Sequence, residues 1–213
     1  VANMRIGNMD GYCVGEPWNA RAVWDKIGFT AATSQDIWVD HPEKVLGTTA
    51  EFADRNPNTA RALVAAVLEA SKYIDDMANR SGVAKLICQK SYVNTDFDVI
   101  EDRMLGEYQN GLGKKWQDKH YMKFHDDGAV NFPYLSDGMW FLTQHKRWGL
   151  LKDHPDYLGI AQKVNRIGLY TEAATAARVA VPKDALRKSK LMDGSVWDGS
   201  NPKAYADSFK IKA

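Results

Sequence analysis

Between Met9 and Lys44 the sequence sets out the residues most able to meet a small anion. Met9-Asp-Gly-Tyr-Cys-Val14 is a short, partly alternating run that reads as a strand, and Gly15-Glu16-Pro17 ends it. Pro near the first helical position is favourable because its missing N–H would lack a partner there, so a helix opens at Trp18 and closes at Gly28. The carboxyl end of a strand in an open α/β sheet is where ligands commonly bind. A helix N-terminus beside it offers unpaired backbone N–H groups and a partial positive charge, both suited to an anion. Gly15 has no side chain, so a ligand can approach its backbone closely. Glu16 complicates the picture, since its own carboxylate can occupy that helix N-terminus. The plainer reading, a capped strand–helix turn with no ligand, stands beside the anion site on composition alone.

Other chemistry finds less support. There is no phosphate-binding loop, no GxGxxG, no GxSxG elbow and no HExxH. His120 and His125 lie five apart with Asp126 and Asp127 beside them, but the spacing matches no metal pattern, and they read as solvated loop residues. His41 and His154 each precede a proline and read as turn or helix-entry residues, and His145 falls on an amphipathic helix. Cys13 and Cys88 are the two cysteines, so there is neither a disulfide framework nor a CxxC metal pair. Alternating with Tyr12 and Val14, Cys13 reads as a small buried hydrophobe. Nothing here points to an enzyme.

The elements that must position these residues follow from periodicity. Phe29 to Trp38 reads as extended, and Lys44 to Phe52 as a second strand. Asn56-Pro57 starts the clearest helix, whose stripe of Ala60, Leu63, Val64, Val67, Leu68, Ser71 and Ile74 carries it to about Asn79. Val83 to Cys88 and Phe97 to Leu105 read as further helical turns. Strands alternating with helices indicate an α/β unit with a mainly parallel sheet. From Gln109 to Tyr134 no period is sustained. Asp137 to Trp148 returns to helix, Tyr157 to Ala177 divides into two short helices, and Asn201-Pro202 starts a last one ending in Phe209-Lys-Ile-Lys. The expected organisation is an α/β ligand-binding lobe over residues 1–105, then an irregular segment and appended helices over residues 106–213.

Composition narrows the function classes. The chain has 213 residues, 45% of them hydrophobic, with Lys+Arg 28 against Asp+Glu 27. That hydrophobic content excludes wholesale disorder, and no apolar run reaches the ~20 residues of a membrane-spanning helix. A net charge of +1 gives no global attraction for nucleic acid or an anionic membrane, so any anion must be met by local groups. Val1 is not an initiator Met, and Val1 to Asn8 is neither a signal nor a transit peptide, which leads us to expect a fragment or a processed piece.

A family resemblance then enters on particular residues. Met9-Asp-Gly-Tyr-Cys-Val-Gly-Glu-Pro-Trp-Asn19 followed by Lys26-Ile-Gly28 resembles the nitrate- and bicarbonate-binding subunits of ABC transporters, on the nitrate-binding branch. The likeness continues through Ile37-Trp38, His41-Pro-Glu-Lys44 and Asn56-Pro57. It extends over Phe132-Pro-Tyr-Leu-Ser-Asp-Gly-Met-Trp-Phe-Leu142, Arg147-Trp-Gly149, Asp193-Gly194 and Asn201-Pro-Lys-Ala-Tyr205. The blocks are separated, specific and spread over the whole chain.

The resemblance implies the C-terminal lobe of a two-lobed, type II periplasmic-binding-protein-like fold, with its helices returning toward an N-terminal lobe that lies outside this sequence. It implies a solute-binding component of a nitrate or nitrite uptake system, with the transporter's membrane subunits as partners and no catalysis. The implied location is the periplasm or the outer face of the membrane. A cytoplasmic nitrate sensor, or a receptor-like domain fused to a transport ATPase, is the alternative. By the same resemblance Gly15 matches the glycine that contacts the ligand. Lys44 matches the discriminating position, lysine in nitrate binders and acidic in bicarbonate binders. Gly15, Lys44, Glu16 and Trp18 form the candidate ligand-binding set, with Glu16 and Glu43 facing away or pairing with bases. No cofactor is expected, nor a metal, since a lysine at the key position removes the need for a cation. Trp38 joins either the cleft or the core. The aromatic group around Trp140, Phe141 and Trp148 is expected to pack, and any part left uncovered would favour self-association.

Overall fold

The computed structural model describes residues 1–211. Along the first half run α1 (Ala2–Arg5), α2 (Trp18–Trp24), α3 (Ser34–Ile37), α4 (Ala50–Arg55), α5 (Pro57–Asp75), α6 (Met77–Ile87) and α7 (Phe97–Leu105). A hairpin of β1 (Glu107–Gln109) and β2 (Lys115–Gln117) follows, then a 3₁₀ turn at Asp126–Gly128 and α8 (Leu135–Arg147). The chain continues through α9 (Tyr157–Val164), α10 (Ile167–Ala176), β3 (Ser189–Lys190), β4 (Val196–Trp197) and α11 (Pro202–Ser208).

Two compact units result. The first contains Val1–Asp36 and Ser71–Phe124, the second Ile37–Ala70 and His125–Ala213. The division expected after Leu105 falls inside the first unit, between α7 and its hairpin.

Side-chain caps set many of the helix boundaries. Thr49 accepts from the Phe52 N–H at 3.1 Å and starts α4, where a strand was expected from Lys44 to Phe52. Asp76 accepts from Ala78 at 2.9 Å, which ends α5 at Asp75 and starts α6. The expected run to Asn79 is therefore two helices. Asp156 and Asn201 cap α9 and α11 in the same way. α11 ends at Ser208; Lys212, in the stretch expected to close it, lies outside the described residues. α2 stops at Trp24, short of the expected Gly28, and Lys26 turns to positive φ.

The mainly parallel sheet is corrected by the structure. Among the described residues the ladders are two antiparallel pairs, β1 with β2 and β3 with β4, and one antiparallel bridge between Trp38 and Leu191. Both expected strands fail for the same reason. Residues 11–15 and 41–49 lie in neither helix nor strand, and their apolar side chains are largely uncovered, with Val14, Val45 and Leu46 all exposed. Cys13 is exposed too, against the expectation of burial, because its segment has no second layer to pack on.

The first unit is built on α6 and α7, with Ala84, Ile100 and Met104 at its centre and Ile74, Phe97, Met122 and Phe124 around them. Arg80 is fully buried within it. Its guanidinium donates to the carbonyls of Ile74, Met104 and Met122 at 3.0, 2.8 and 2.8 Å and to Asp75 at 3.0 Å. The rings of Tyr121 and Phe124 lie 5.2 and 5.3 Å from it. With its donors shared among three chain segments, this arginine is a rivet. α7 ends at Gly106 in the left-handed region, where an added Cβ would meet Tyr121 Cβ at 2.8 Å.

The second unit has two apolar clusters. One joins Leu68 of α5 to Phe132, Tyr170, Ala174 and Val179; the other joins Leu135, Met139, Tyr157, Ala161 and Trp197. Along α5 the buried face is narrower than its apolar stripe: Ala60, Leu68 and Ser71 are buried, whereas Leu63 and Val67 are exposed. Trp38 packs edge-on to Trp140 at 4.9 Å and is buried, so it belongs to the core. Phe141 and Trp148 stay about half exposed, the uncovered part of the aromatic group.

Candidate ligand-binding site

The first unit brings Gly15, Glu16 and Trp18 into one turn. The extended segment before α2 folds back over that helix's first turn, with the Tyr12 hydroxyl donating to the Trp18 carbonyl at 2.8 Å. The Asn19 amide donates to the Val14 carbonyl, and the Trp18 N–H to the Gly15 carbonyl at 3.4 Å. The Glu16–Pro17 peptide is cis. Gly15 is half-buried between these fixed points.

Glu16 does what the sequence left open. One carboxylate oxygen accepts from the Ala20 N–H at 3.1 Å, so the free end of α2 is met from within the chain. The other lies 3.3 Å from Nε of Arg103 on α7. Arg103 is only 3% exposed, and its guanidinium sits 4.2 Å from the centre of the Tyr108 ring on β1. Its Nε is close to the carboxylate without the alignment of a hydrogen bond, so charge carries the contact more than direction does. Burial raises the Tyr108 phenol above its ordinary pKa, against the opposing pull of Arg103. Arg103 escaped the sequence reading, yet a signal was there: it falls on the same helical face as Val99, Ile100 and Met104, all buried.

Trp18 is exposed along one side of an open groove of about 490 Å³, lined also by Arg5, Arg21 and Asp96. The charges there are already paired, Arg5 with Asp25 and Arg21 with both Asp25 and Asp96.

In the second unit, Lys44 lies on the irregular segment 41–49 with its side chain 76% exposed. Nζ pairs with Glu43 at 2.9 Å, and the Lys44 N–H donates to the same carboxylate at 2.9 Å. Burial pushes the Glu43 carboxyl up, but the bonds from Lys44 outweigh it and hold it below its ordinary value. Both glutamates flanking the candidate positions thus pair with bases.

The histidines divide differently from expectation. His125 is buried, not a solvated loop residue, and its carbonyl accepts from Gly128 and Val130 as the chain tightens into the 3₁₀ turn. His154 is set between the Tyr157 hydroxyl at 2.8 Å and Asp207 at 3.2 Å, joining the start of α9 to α11. Among the described residues no three His, Cys, Asp or Glu side chains gather as a metal site.

The chain is similar to known proteins along its length. Residues 1–88 match the model of the NMT1-like family. The whole chain is 41% identical to the nitrate/nitrite binding protein NrtA of Synechococcus elongatus, covering 49% of that protein. Nearly all of it, 99%, is 36% identical to the nitrate import ATP-binding protein NrtC of Synechocystis, covering 32% of that protein. The crystal structure of the periplasmic nitrate-binding protein NrtA from Synechocystis PCC 6803 superposes with a TM-score of 0.93 at 36% identity, covering 99% of this chain and 56% of that one. The chain spans about half the length of the nitrate/nitrite-binding relatives it matches. Along its own length the chain is similar to nitrate-binding proteins, and its fold fits a lobe of a two-lobed binding protein.

Proposed function

We propose that this chain, a relative of the nitrate/nitrite-binding proteins, is part of the oxyanion receptor of an ABC-type uptake system working in the periplasm. The observation that carries the reading is the agreement of fold and sequence with a periplasmic nitrate-binding protein along 99% of this chain. The anion is bound in a cleft and handed to the transporter's membrane subunits without being transformed. The named relatives are binding and transport proteins, which supports a role without catalysis. No described helix is long and apolar enough to cross a membrane.

In this reading Gly15 presents its backbone to the ligand and Lys44 supplies the cation. Nitrate is a planar monoanion with only acceptor atoms, so its site needs N–H donors and must keep unpaired carboxylates away. A charge-assisted hydrogen bond from Lys44 contributes roughly 1.5–3 kcal/mol. The exposed Lys44–Glu43 pair that it replaces is worth only about 0–1 kcal/mol, so the ammonium is free to exchange partners. Bicarbonate carries an O–H that can donate to a carboxylate, so a lysine here favours nitrate. Trp18, exposed beside the turn, supplies an aromatic wall close to Gly15 in sequence.

The likeness to the NrtC ATP-binding protein supports a second arrangement, the same lobe fused to a transport ATPase as a regulatory receptor. Calorimetric titration of the gene's complete product with nitrate, nitrite, bicarbonate and sulfate tests the ligand. Selective heat with nitrate or nitrite is expected. Heat with bicarbonate alone would move the protein to the other branch, and heat with none would overturn the reading.

A further inference from the structure

A glutamate next to the glycine proposed to receive an anion is a poor choice on charge alone. An ionised carboxylate there repels the ligand, and its cost falls only if the charge is neutralised nearby. Arg103 provides that neutralisation from beneath: it is 3% exposed, and its Nε is 3.3 Å from Glu16. The second carboxylate oxygen is held by the Ala20 N–H at 3.1 Å. One side chain thus ties the turn to α2 and to α7 at once. α7 in turn stands on the core, through Val99, Ile100 and Met104, and Tyr108 closes over the guanidinium at 4.2 Å.

We propose that Glu16 and the buried Arg103 form a strut that fixes the Gly15 backbone in position to bind the oxyanion, neither of them touching it. They are positioning residues, and the inference rests on the reading of Gly15 as a ligand contact. The strut has a consequence that a bystander charge lacks. Removing a negative charge beside an anion site should tighten binding if only electrostatics matter, and weaken it if the carboxylate holds the site's shape.

The test is Glu16→Gln in the complete gene product, titrated with nitrate beside Arg103→Met, the double variant and Gly15→Val, each checked for its thermal unfolding midpoint. Glu16→Gln keeps an acceptor for Ala20 and loses the charge that meets Arg103. Its nitrate affinity is expected to fall on the order of tenfold, as for loss of one well-placed charge-assisted interaction, with the folded fraction intact. Arg103→Met should fall at least as far, and the double variant no further than the worse single, because both remove one coupled unit. Unchanged or tighter binding in Glu16→Gln would overturn the strut, as would full additivity in the double variant. Should either single variant unfold, Arg103→Lys serves in its place, with recovery of affinity expected wherever its ammonium reaches Glu16. Gly15→Val separates the two levels. If it binds nitrate normally, the reading of Gly15 fails and takes the strut's role with it. If it loses binding while Glu16→Gln does not, the strut alone fails.

Discussion

The turn at Gly15 and the segment carrying Lys44 are built in opposite ways. Around Gly15 the backbone is held by Tyr12, Asn19, Glu16 and, through Glu16, by a buried arginine on another helix. Lys44 lies on a stretch with neither helix nor strand, beside Val45 at 86% exposure, and its ammonium pairs with the adjacent residue. The contrast is one of preorganisation. A backbone donor set by packing loses little entropy when a ligand arrives, whereas a solvated lysine gives up as much as ~2 kcal/mol of rotamer freedom on being fixed. In the proposed site the first region sets geometry, and the second brings a charge that can change partners.

The largest effect should come from removing the foundation of the fixed region. Arg80→Met would take one partner from Asp75 and from each of the carbonyls of Ile74, Met104 and Met122, destabilising the protein by about 3–5 kcal/mol in denaturant unfolding. A loss below ~1 kcal/mol would mean that the first unit does not depend on its rivet. Next, Lys44→Glu should abolish nitrate binding, a loss on the order of 2 kcal/mol or more, while leaving unfolding within about 0.5 kcal/mol of the parent. Unchanged nitrate affinity would assign the cation to another residue.

The remaining two predictions ask whether looseness in the second unit is confined to that segment. Tyr170 sits in the core of this unit and donates to the Gly128 carbonyl at 3.3 Å. Burial, with a smaller contribution from Tyr134, raises its pKa from 10.0 to about 12. The folded state thus keeps a proton that the unfolded state loses. The stability linked to it is complete below pH 10.0 and is lost as pH rises to about 12. Stability measured against pH should show this alkaline decline, and Tyr170→Phe should flatten it; an unaltered decline would clear Tyr170 of responsibility. The smallest effect belongs to Leu46→Ser, expected to change stability by less than ~0.5 kcal/mol because the side chain is already exposed. A large loss there would show that the segment is packed after all and erase the contrast.

Legibility in the sequence follows the same line between local and distant causes. α7 occupies Phe97–Leu105 as its pattern predicts, and Tyr157 to Ala177 divides into α9 and α10 as expected. Asn201 caps α11 through its own side chain. Each of these rests on residues a few positions apart. The strands failed because a short alternating run states that one face is apolar and not whether anything covers it; Cys13 and Val45 are exposed for want of a second layer. In the candidate site, the turn at Gly15 and the base-pairing of Glu16 and Glu43 were legible, and the identity of the base at Glu16 was not.

By itself, then, the sequence determined the helices with clear periodicity and caps, the similarity to nitrate-binding proteins, and the turn where a backbone can be approached. Only the tertiary structure decided that the Glu16 carboxylate turns away to α2 and α7, that Arg103 is buried beneath it, and that Lys44 stands in solvent beside Glu43. The physical reason is that helix periodicity and capping are settled within a turn or two of chain. The charge state and company of a side chain depend on what packing brings within a few ångströms from far along it.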